Sequence, residues 1–523
     1  MATVYKKRIL DSLLERALSG IGAVVIEGPK GCGKTTTGLQ LAKSKLMLGA
    51  AETRENAVEL LGYNAKAVLA GNTPRMIDEW QTVPRLWDAV RYEIDNRQAV
   101  GQFILTGSAV PADRSEIFHT GTGRFAWLTM RTMSLFESGE SNGEVSLSEL
   151  FEGHHDISGQ NGADIEHIAF AACRGGWPQC VGNTSEAALD LAYNYVDAVL
   201  KTDISRVDGE KKNNYRSRAL LRSYARNLGS SVSVQALWSD ISSQDDDAFS
   251  VRTCQSYLYA LREIFVTEDM PAWNPNLRSK TAIRTSDTRY FTDPSVAAAA
   301  LQIGPQDLLN DPKTFGFLFE NLCVRDLRVY ADALRGNLFH YRDKNNLECD
   351  AVLHRKNGSY GLIEIKLGGK EAIAHGAETL TRLAQKIDTT KMPAPSFLMV
   401  LTAAGDFAYR RADGVLVVPL ACLKPYAASL GRRALRCEPG RARLPGARSR
   451  FTDRSCNDVC SRSTFSDCLR RLHGRRSRRA LRTIPSLLRH TDGAAHVGYR
   501  PAFCAAPSDN GRQPQSRGYR HHP

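Results

Sequence analysis

Nine consecutive residues, Gly28-Pro29-Lys30-Gly31-Cys32-Gly33-Lys34-Thr35-Thr36, fit the spacing G-x-x-x-x-G-K-[ST]. Each residue type in that spacing has a task. Glycines adopt positive φ and leave room, so backbone N–H groups can converge on phosphate oxygens. A helix starting at the end of the loop adds its partial positive charge. Lys34 is placed to reach β- and γ-phosphates, and the Thr35 hydroxyl to meet Mg²⁺. The chemistry is binding of a nucleoside triphosphate, with Gly28 through Thr36 as its contacts.

Forty-four residues after Lys34, an apolar run closes in Asp78-Glu79. In that position Asp78 can hold Mg²⁺ through water and Glu79 can polarise the attacking water. A later run, Gln102-Phe103-Ile104-Leu105-Thr106-Gly107-Ser108, ends in small polar residues, which places Ser108 where a γ-phosphate would be sensed. Gly121-Thr122-Gly123-Arg124 presents one arginine, available to a nucleotide phosphate in the same chain or across a subunit interface.

A second group lies far downstream. Asp350, then Glu364-x-Lys366 after 13 intervening residues, fits the PD-(D/E)xK pattern of metal-dependent nucleases. There two carboxylates on neighbouring strands hold Mg²⁺ and the lysine orients or deprotonates the water. Strand alternation puts Glu364 and Lys366 on one face. Glu320, on the preceding helical stretch, can complete the set.

These side chains need particular elements beneath them. Ala23-Val24-Val25-Ile26-Glu27 is the apolar, β-branched run of a buried strand, and the residues after Thr36 read as a helix. Residues 45–72 read as helix and loop, with a helical turn over 55–61. The spacing predicts a helix over 86–97 and strands ending at Asp78 and Ser108. Residues 139–165 are polar and glycine-rich, the composition of a linker. Helical patterning follows to Leu228. Helices over 232–241 and 251–264, then short strands over 265–268 and 289–293, give a winged-helix order. Its expected recognition helix carries a single arginine near its start, Arg252, so DNA binding there competes with a lid or partner-docking role. Arg278, Lys280 and Arg284 are the better phosphate contacts of that region.

Taken together, "IEGPKGCGKTT", "RMIDEWQTVPRLWDAVRYEID", "GQFILTGSA" and "GRFAWLTMRTMSLFESGE" resemble the predicted AAA+ ATPases of bacteria and archaea. The resemblance runs in family order over about 425 residues. It implies an AAA+ nucleotide domain binding ATP and Mg²⁺, a winged-helix-bearing region of unknown function, and a restriction-endonuclease-like domain. It also implies nucleotide and Mg²⁺ roles for Lys34 and Thr35, a Walker B role for Asp78 and Glu79, and a sensor-strand place for Ser108. One departure is visible: Leu46-Met47-Leu48-Gly49-Ala50 is a poor version of the strand such proteins carry between the two Walker motifs.

The expected architecture is therefore α/β throughout: an AAA+ P-loop domain over 1–140, a linker over 141–164, a helical and winged-helix region over 165–311, a PD-(D/E)xK-like domain over 312–424, and an Arg-rich disordered tail over 425–523. Of the net charge of +13, residues 426–523 carry 21 Arg, no Lys and 6 acidic residues, leaving 48 basic and 50 acidic residues before them. A basic-protein argument for nucleic-acid binding thus rests on the tail alone. The absence of Lys there fits translation past a lost frame or stop better than a selected basic arm. The 12 scattered Cys, the lack of an 18-residue apolar window and the charged start imply a cytoplasmic chain with reduced thiols and no membrane span. The function expected is an ATPase working as a nucleotide-driven switch on DNA or a protein partner. The alternatives are an ATP-gated nuclease and a low-turnover nucleotide-binding adaptor. A homo-oligomer is compatible with the family but is not fixed by any motif.

Overall fold

A computed structural model describes residues 5–108, 119–207, 212–242, 250–275 and 286–427. The chain begins with helix α1 (Ile9–Leu18), strand β1 (Ala23–Glu27) and helix α2 (Lys34–Leu41). Then come β2 (Ser44–Met47), α3 (Ala51–Tyr63), α4 (Ala65–Val68), β3 (Arg75–Asp78), α5 (Leu86–Arg97), β4 (Phe103–Gly107) and β5 (Phe125–Thr129). The strands form one parallel sheet in the order β2-β3-β4-β1-β5. Buried parallel strands are apolar on both faces, and alternation sorts the side chains. Val25, Phe103 and Leu105 meet Trp87, Val90 and Ile94 of α5. Val24, Ile26 and Ile104 meet Leu10, Leu14 and Leu18, one turn apart on α1. The strand poorly marked in sequence exists: β2 pairs in register with β3, Met47 opposite Asp78. It is an edge strand, and so it needs only half an apolar pattern. The helix expected over 55–61 is longer, spanning all of α3.

The middle of the chain runs α6 (Leu135–Ser138), β6 (Val145–Ser146), α7 (Leu147–Phe151), β7 (Gly159–Gln160), α8 (Ile165–Arg174) and α9 (Glu186–Ala198). A π-helical turn at Val199–Asp203 follows, then α10 (Asn214–Arg226), α11 (Val234–Ser242), α12 (Val251–Glu263), α13 (Pro294–Leu301) and α14 (Pro305–Asn310). α13 is buried along Pro294–Ala300. Its alanines let α8, α9, α10 and α15 (Pro312–Ala333) approach closely around it. The two expected wing strands are reduced to isolated antiparallel bridges, Thr267 with Phe291 and Met270 with Thr288. Arg278, Lys280 and Arg284 lie outside the described residues, as does the chain from 428 onward.

After α15 come β8 (Gly336–Arg342), β9 (Glu348–Arg355), β10 (Tyr360–Lys366), α16 (Lys370–Lys386), β11 (Phe397–Thr402), β12 (Phe407–Arg410), β13 (Leu416–Pro419) and β14 (Leu423–Lys424). Their mixed sheet has the order β7-β12-β13-β11-β10-β9-β8. One face, with Leu353, Ile363, Ile365 and Leu401, packs on the core that includes α15. The other, with Val352, Leu362 and Val400, packs on Leu380 and Leu383 of α16.

The linker expected at 141–164 is not one. β7 pairs antiparallel with β12, and β6 pairs parallel with β14. Asn142 N–H donates to the Ala421 carbonyl and Ser141 Oγ to the Leu423 carbonyl. The polar, glycine-rich composition serves edge strands and tight turns, and the backbone groups are satisfied by distant chain. A single core runs from Ile9 and Leu135 through α8–α13 to Leu423, so the boundaries drawn from composition cross continuous packing.

That core encloses a polar joint. Arg325 of α15 is ion-paired with Asp293 at 3.2 Å and Asp326 at 2.7 Å, and all three are almost wholly buried. Asp293 also accepts from Thr132 Oγ1 and from the Gly176 N–H. Burial alone would raise the Asp293 carboxyl, but Arg325 and these donors hold it below the ordinary range. Asp326 has fewer donors, and burial pushes it up to about 6. Among the described residues the cysteines are free and buried, and no helix is long and apolar enough to cross a membrane.

Candidate functional site

The glycine-rich loop leaves the C-terminal end of β1 and turns into α2. Gly28 has φ 144°, and a Cβ there would lie 2.0 Å from the Met130 carbonyl oxygen, so only glycine lets the loop pass β5's end. Gly33 caps α2 at φ 105°, in the left-handed region. Lys34 is buried, and its Nζ donates to the carbonyls of Gly28 and Pro29, both at 2.8 Å. Cys32 is buried, while Thr36 and Lys30 are exposed. Lys30 does not point into the loop; its Nζ pairs with Asp203 of the π-helical turn at 2.5 Å.

The sheet order brings the other groups to the same edge. β4 lies between β1 and β3, with Thr106 opposite both Ile26 and Asp78. The Asp78 Oδ1 accepts from Thr35 Oγ1 at 2.8 Å and Thr106 Oγ1 at 2.5 Å. The two hydroxyl-bearing elements and the Asp78 carboxylate thus converge at one point beside the loop. Glu79 follows at φ 55°, a left-handed conformation uncommon for a non-glycine residue. Its Oε2 accepts from Gln81 Nε2 at 2.5 Å. The Gln81 Oε1 is buried with no hydrogen-bond partner among the described residues. An acceptor left open beside Glu79 suits a polar ligand or an ordered water there.

Ser108 is buried directly after β4. The β4 side chain that meets Asp78 is Thr106, which sequence reasoning passed over as an ordinary strand residue. Arg124 stands at the other end of the sheet. It precedes β5, and its carbonyl accepts from the Ala23 N–H at the N-terminal end of β1, whereas the loop leaves the other end. Its guanidinium pairs with Asp95 at 2.9 Å on the surface. The length of the sheet separates Arg124 from the loop, so contact with a nucleotide in the same chain is excluded.

Arg8, also unsuspected from sequence, backs the loop from behind. Buried at 4% exposure, it donates from Nη1 to the Cys32 carbonyl, from Nη2 to the Arg131 carbonyl and from Nε to Glu137. Arg131 in turn reaches Glu268 at 2.5 Å and Asp332 of α15 at 2.7 Å. Contiguous contacts thus lead from the loop into the helix that carries Glu320.

The downstream group assembles as well. Antiparallel β9 and β10 bring Asp350, near the start of β9, beside the C-terminal end of β10: Asp350 Oδ2 accepts from the Ile365 N–H at 2.7 Å and from Lys366 Nζ at 3.1 Å. Lys366 Nζ also donates to Glu364 Oε2 at 2.6 Å. Gly376 of α16 lies over Glu364, where an added Cβ would stand 3.4 Å from the Glu364 Cβ. Glu320 accepts from Tyr290 Oη at 2.5 Å, a partner supplied by the middle region and invisible to motif spacing. Burial first, then the nearby Asp350, pushes both Glu320 and Glu364 up to about 8 despite Lys366. Lys366 is raised because its two carboxylate partners outweigh its own desolvation. Among the described residues no three His, Cys, Asp or Glu side chains converge on one cation position, and Lys366 Nζ bridges Asp350 and Glu364.

Residues 21–138 match the family profile described as an AAA domain. Residues 165–307 and 315–423 match two domains of unknown function, DUF8612 and DUF4143. No curated protein matches the chain. Solved structures similar to it include a Walker-type ATPase of Pyrococcus abyssi, at 12% identity and TM-score 0.35, covering 57% of this chain and 96% of that one. Another is the Orc1 protein of Aeropyrum pernix in complex with DNA, at 13% identity and TM-score 0.19, covering 58% and 91%. The AAA-domain match and the loop geometry support a nucleotide-binding ATPase domain in an α/β chain.

Proposed function

We propose that the chain is a Mg²⁺-dependent ATPase whose nucleotide state switches its action on DNA or a protein partner. The observation that carries this reading is the junction of Thr35, Asp78 and Thr106 beside the glycine-rich loop. The backbone of Gly28–Thr36 cradles the phosphates. Lys34 exchanges the Gly28 and Pro29 carbonyls for β- and γ-phosphate oxygens. Thr35 and Asp78 hold Mg²⁺, which when bound neutralises charge developing on those oxygens. Glu79, oriented by Gln81, prepares the attacking water, and Ser108 sits at the strand end where the γ-phosphate is read. Glu79→Gln is expected to keep ATP affinity while lowering turnover by about 10²–10³-fold. Single-turnover hydrolysis measured alongside equilibrium ATP binding checks it; equal losses in both would remove Glu79 from the chemical step. Tight ATP binding with negligible turnover in the unaltered chain would instead favour the adaptor.

A second reading is favoured by one further observation, the clustering of Asp350, Glu364 and Lys366. In this reading the C-terminal domain is a PD-(D/E)xK nuclease gated by the ATPase domain, with Asp350 and Glu364 as Mg²⁺ ligands and Lys366 assisting the water. The three-helix unit α10–α12 with its bridged strands acts as a winged helix. Mg²⁺- or Mn²⁺-dependent nicking of plasmid or branched DNA is expected, and Asp350→Ala should reduce it to background. No cutting by the unaltered chain with either metal would leave the domain a binding module.

A further inference from the structure

The middle region concentrates positive charge in one place. From Lys211 to Arg226 the sequence has six basic residues and no acidic one, although residues 1–425 as a whole are near neutral. Most of that stretch is α10, whose Tyr215, Arg218, Arg222 and Arg226 are all exposed. The three arginines recur every fourth residue and therefore share one helix face. Their rise is about 6 Å per step, so the row spans about 12 Å. That is roughly three to four phosphate steps along one strand of a duplex, at about 3.4 Å of axial rise each. Arg218 pairs with Asp197 at 2.6 Å, and Arg226 pairs with Asp240. Exposed pairs of this kind contribute little and are screened by salt, so both guanidiniums can turn to another anion. Among the described residues Arg222 has no acidic partner within ion-pair distance. α12, the helix expected from sequence to read DNA, has only Arg252 and Arg262, and Arg262 is tied to Asp269 at 3.0 Å.

We infer that the α10 row of Arg218, Arg222 and Arg226, flanked by Tyr215, is a docking surface for the sugar-phosphate backbone of a nucleic acid. This deepens the DNA-partner arm of the proposed function and rests on it. Arginine is the residue suited to this task, because its planar fork matches phosphate oxygens two at a time. A row of guanidiniums at even spacing fits an anion that repeats along a line. Tyr215, 63% exposed at the end of the row, offers a ring on which an unpaired base can stack. The contact specifies phosphate rather than sequence, so it positions the chain on its substrate without selecting a site.

Arginine footprinting of the full chain tests the surface locally, so the Arg-rich tail does not mask the result. Phenylglyoxal modification is read by mass spectrometry without polymer, with a single-stranded oligonucleotide, with the same sequence as duplex, and with polyglutamate. Protection of Arg218, Arg222 and Arg226 by nucleic acid and not by polyglutamate is expected. The polymer that protects at lower concentration distinguishes single strand from duplex. Equal modification in every arm overturns the inference, and so does equal protection by polyglutamate, which marks an acidic protein partner. In a companion titration R222A should lower the slope of log affinity against log salt by about 1, with ATP turnover in the absence of nucleic acid unchanged. An unchanged slope overturns it too. Neither measurement needs hydrolysis or cutting. Loss of the ATPase or nuclease reading would therefore show as missing turnover or nicking with the protection intact.

Discussion

Lys34→Ala is expected to bring ATP turnover to background, a loss of at least about 100-fold, the scale on which single preorganised donors to a developing oxyanion act. The side chain is buried and held by two carbonyls of its own loop. In the variant those carbonyls lose their donor, so loop geometry as well as phosphate charge is affected. Two measurements separate the effects. Thermal unfolding without nucleotide reports the loop's contribution to stability. The rise in midpoint on adding Mg²⁺ and ATP reports binding, because a ligand that binds only the folded chain stabilises it in proportion to ln(1 + [L]/Kd). The unaltered chain should show the rise and Lys34→Ala should not. Hydrolysis at the parental rate by Lys34→Ala would sink the ATPase assignment as argued from this loop.

Arg325→Leu carries the largest expected cost in stability, about 3–5 kcal/mol, because it leaves buried carboxylates without their counter-charge. Arg325, Asp293 and Asp326 are each at or below 1% exposure, and together they join α15, the start of α13 and the segment after β5. The loss should depend on pH in a defined direction. Without Arg325, burial raises both carboxyls above their unfolded pKa near 3.9. A group raised in the folded state binds more protons there, so stability falls as pH rises from about 4 toward the folded values. The variant should thus be least impaired near pH 5 and most impaired near pH 8. Urea midpoints of parent and variant at both values check this. A penalty below about 1 kcal/mol that is flat with pH would mean water or rearrangement satisfies the carboxylates.

The glycine-rich loop, Asp78-Glu79 and Asp350…Glu364-x-Lys366 were legible because each lies on a short run whose residue types follow from the chemistry. The helix over 86–97 was legible for a similar reason, its apolar positions recurring on one face, and it occupies those residues. Thr106, Gln81, Arg8 and Tyr290 were not, since a lone polar side chain carries no period and gains its meaning from what lies across a strand or a domain. The glycine-rich stretch at 141–164 misled because two-residue strands are too short to alternate. Their pairing partners, β12 and β14, lie more than 240 residues away.

What the amino-acid order determined by itself was the phosphate-binding turn, the strands and helices that flank it, and the charge types available at both centres. Tertiary structure alone decided that Thr106 meets Asp78, that Arg124 lies beside the N-terminal end of β1 and pairs with Asp95, and that Tyr290 serves Glu320. The physical reason is that local sequence sets backbone conformation within a few residues. Hydrogen bonds and ion pairs between side chains far apart in the chain depend on strand order and on burial in a shared core, which no single segment contains.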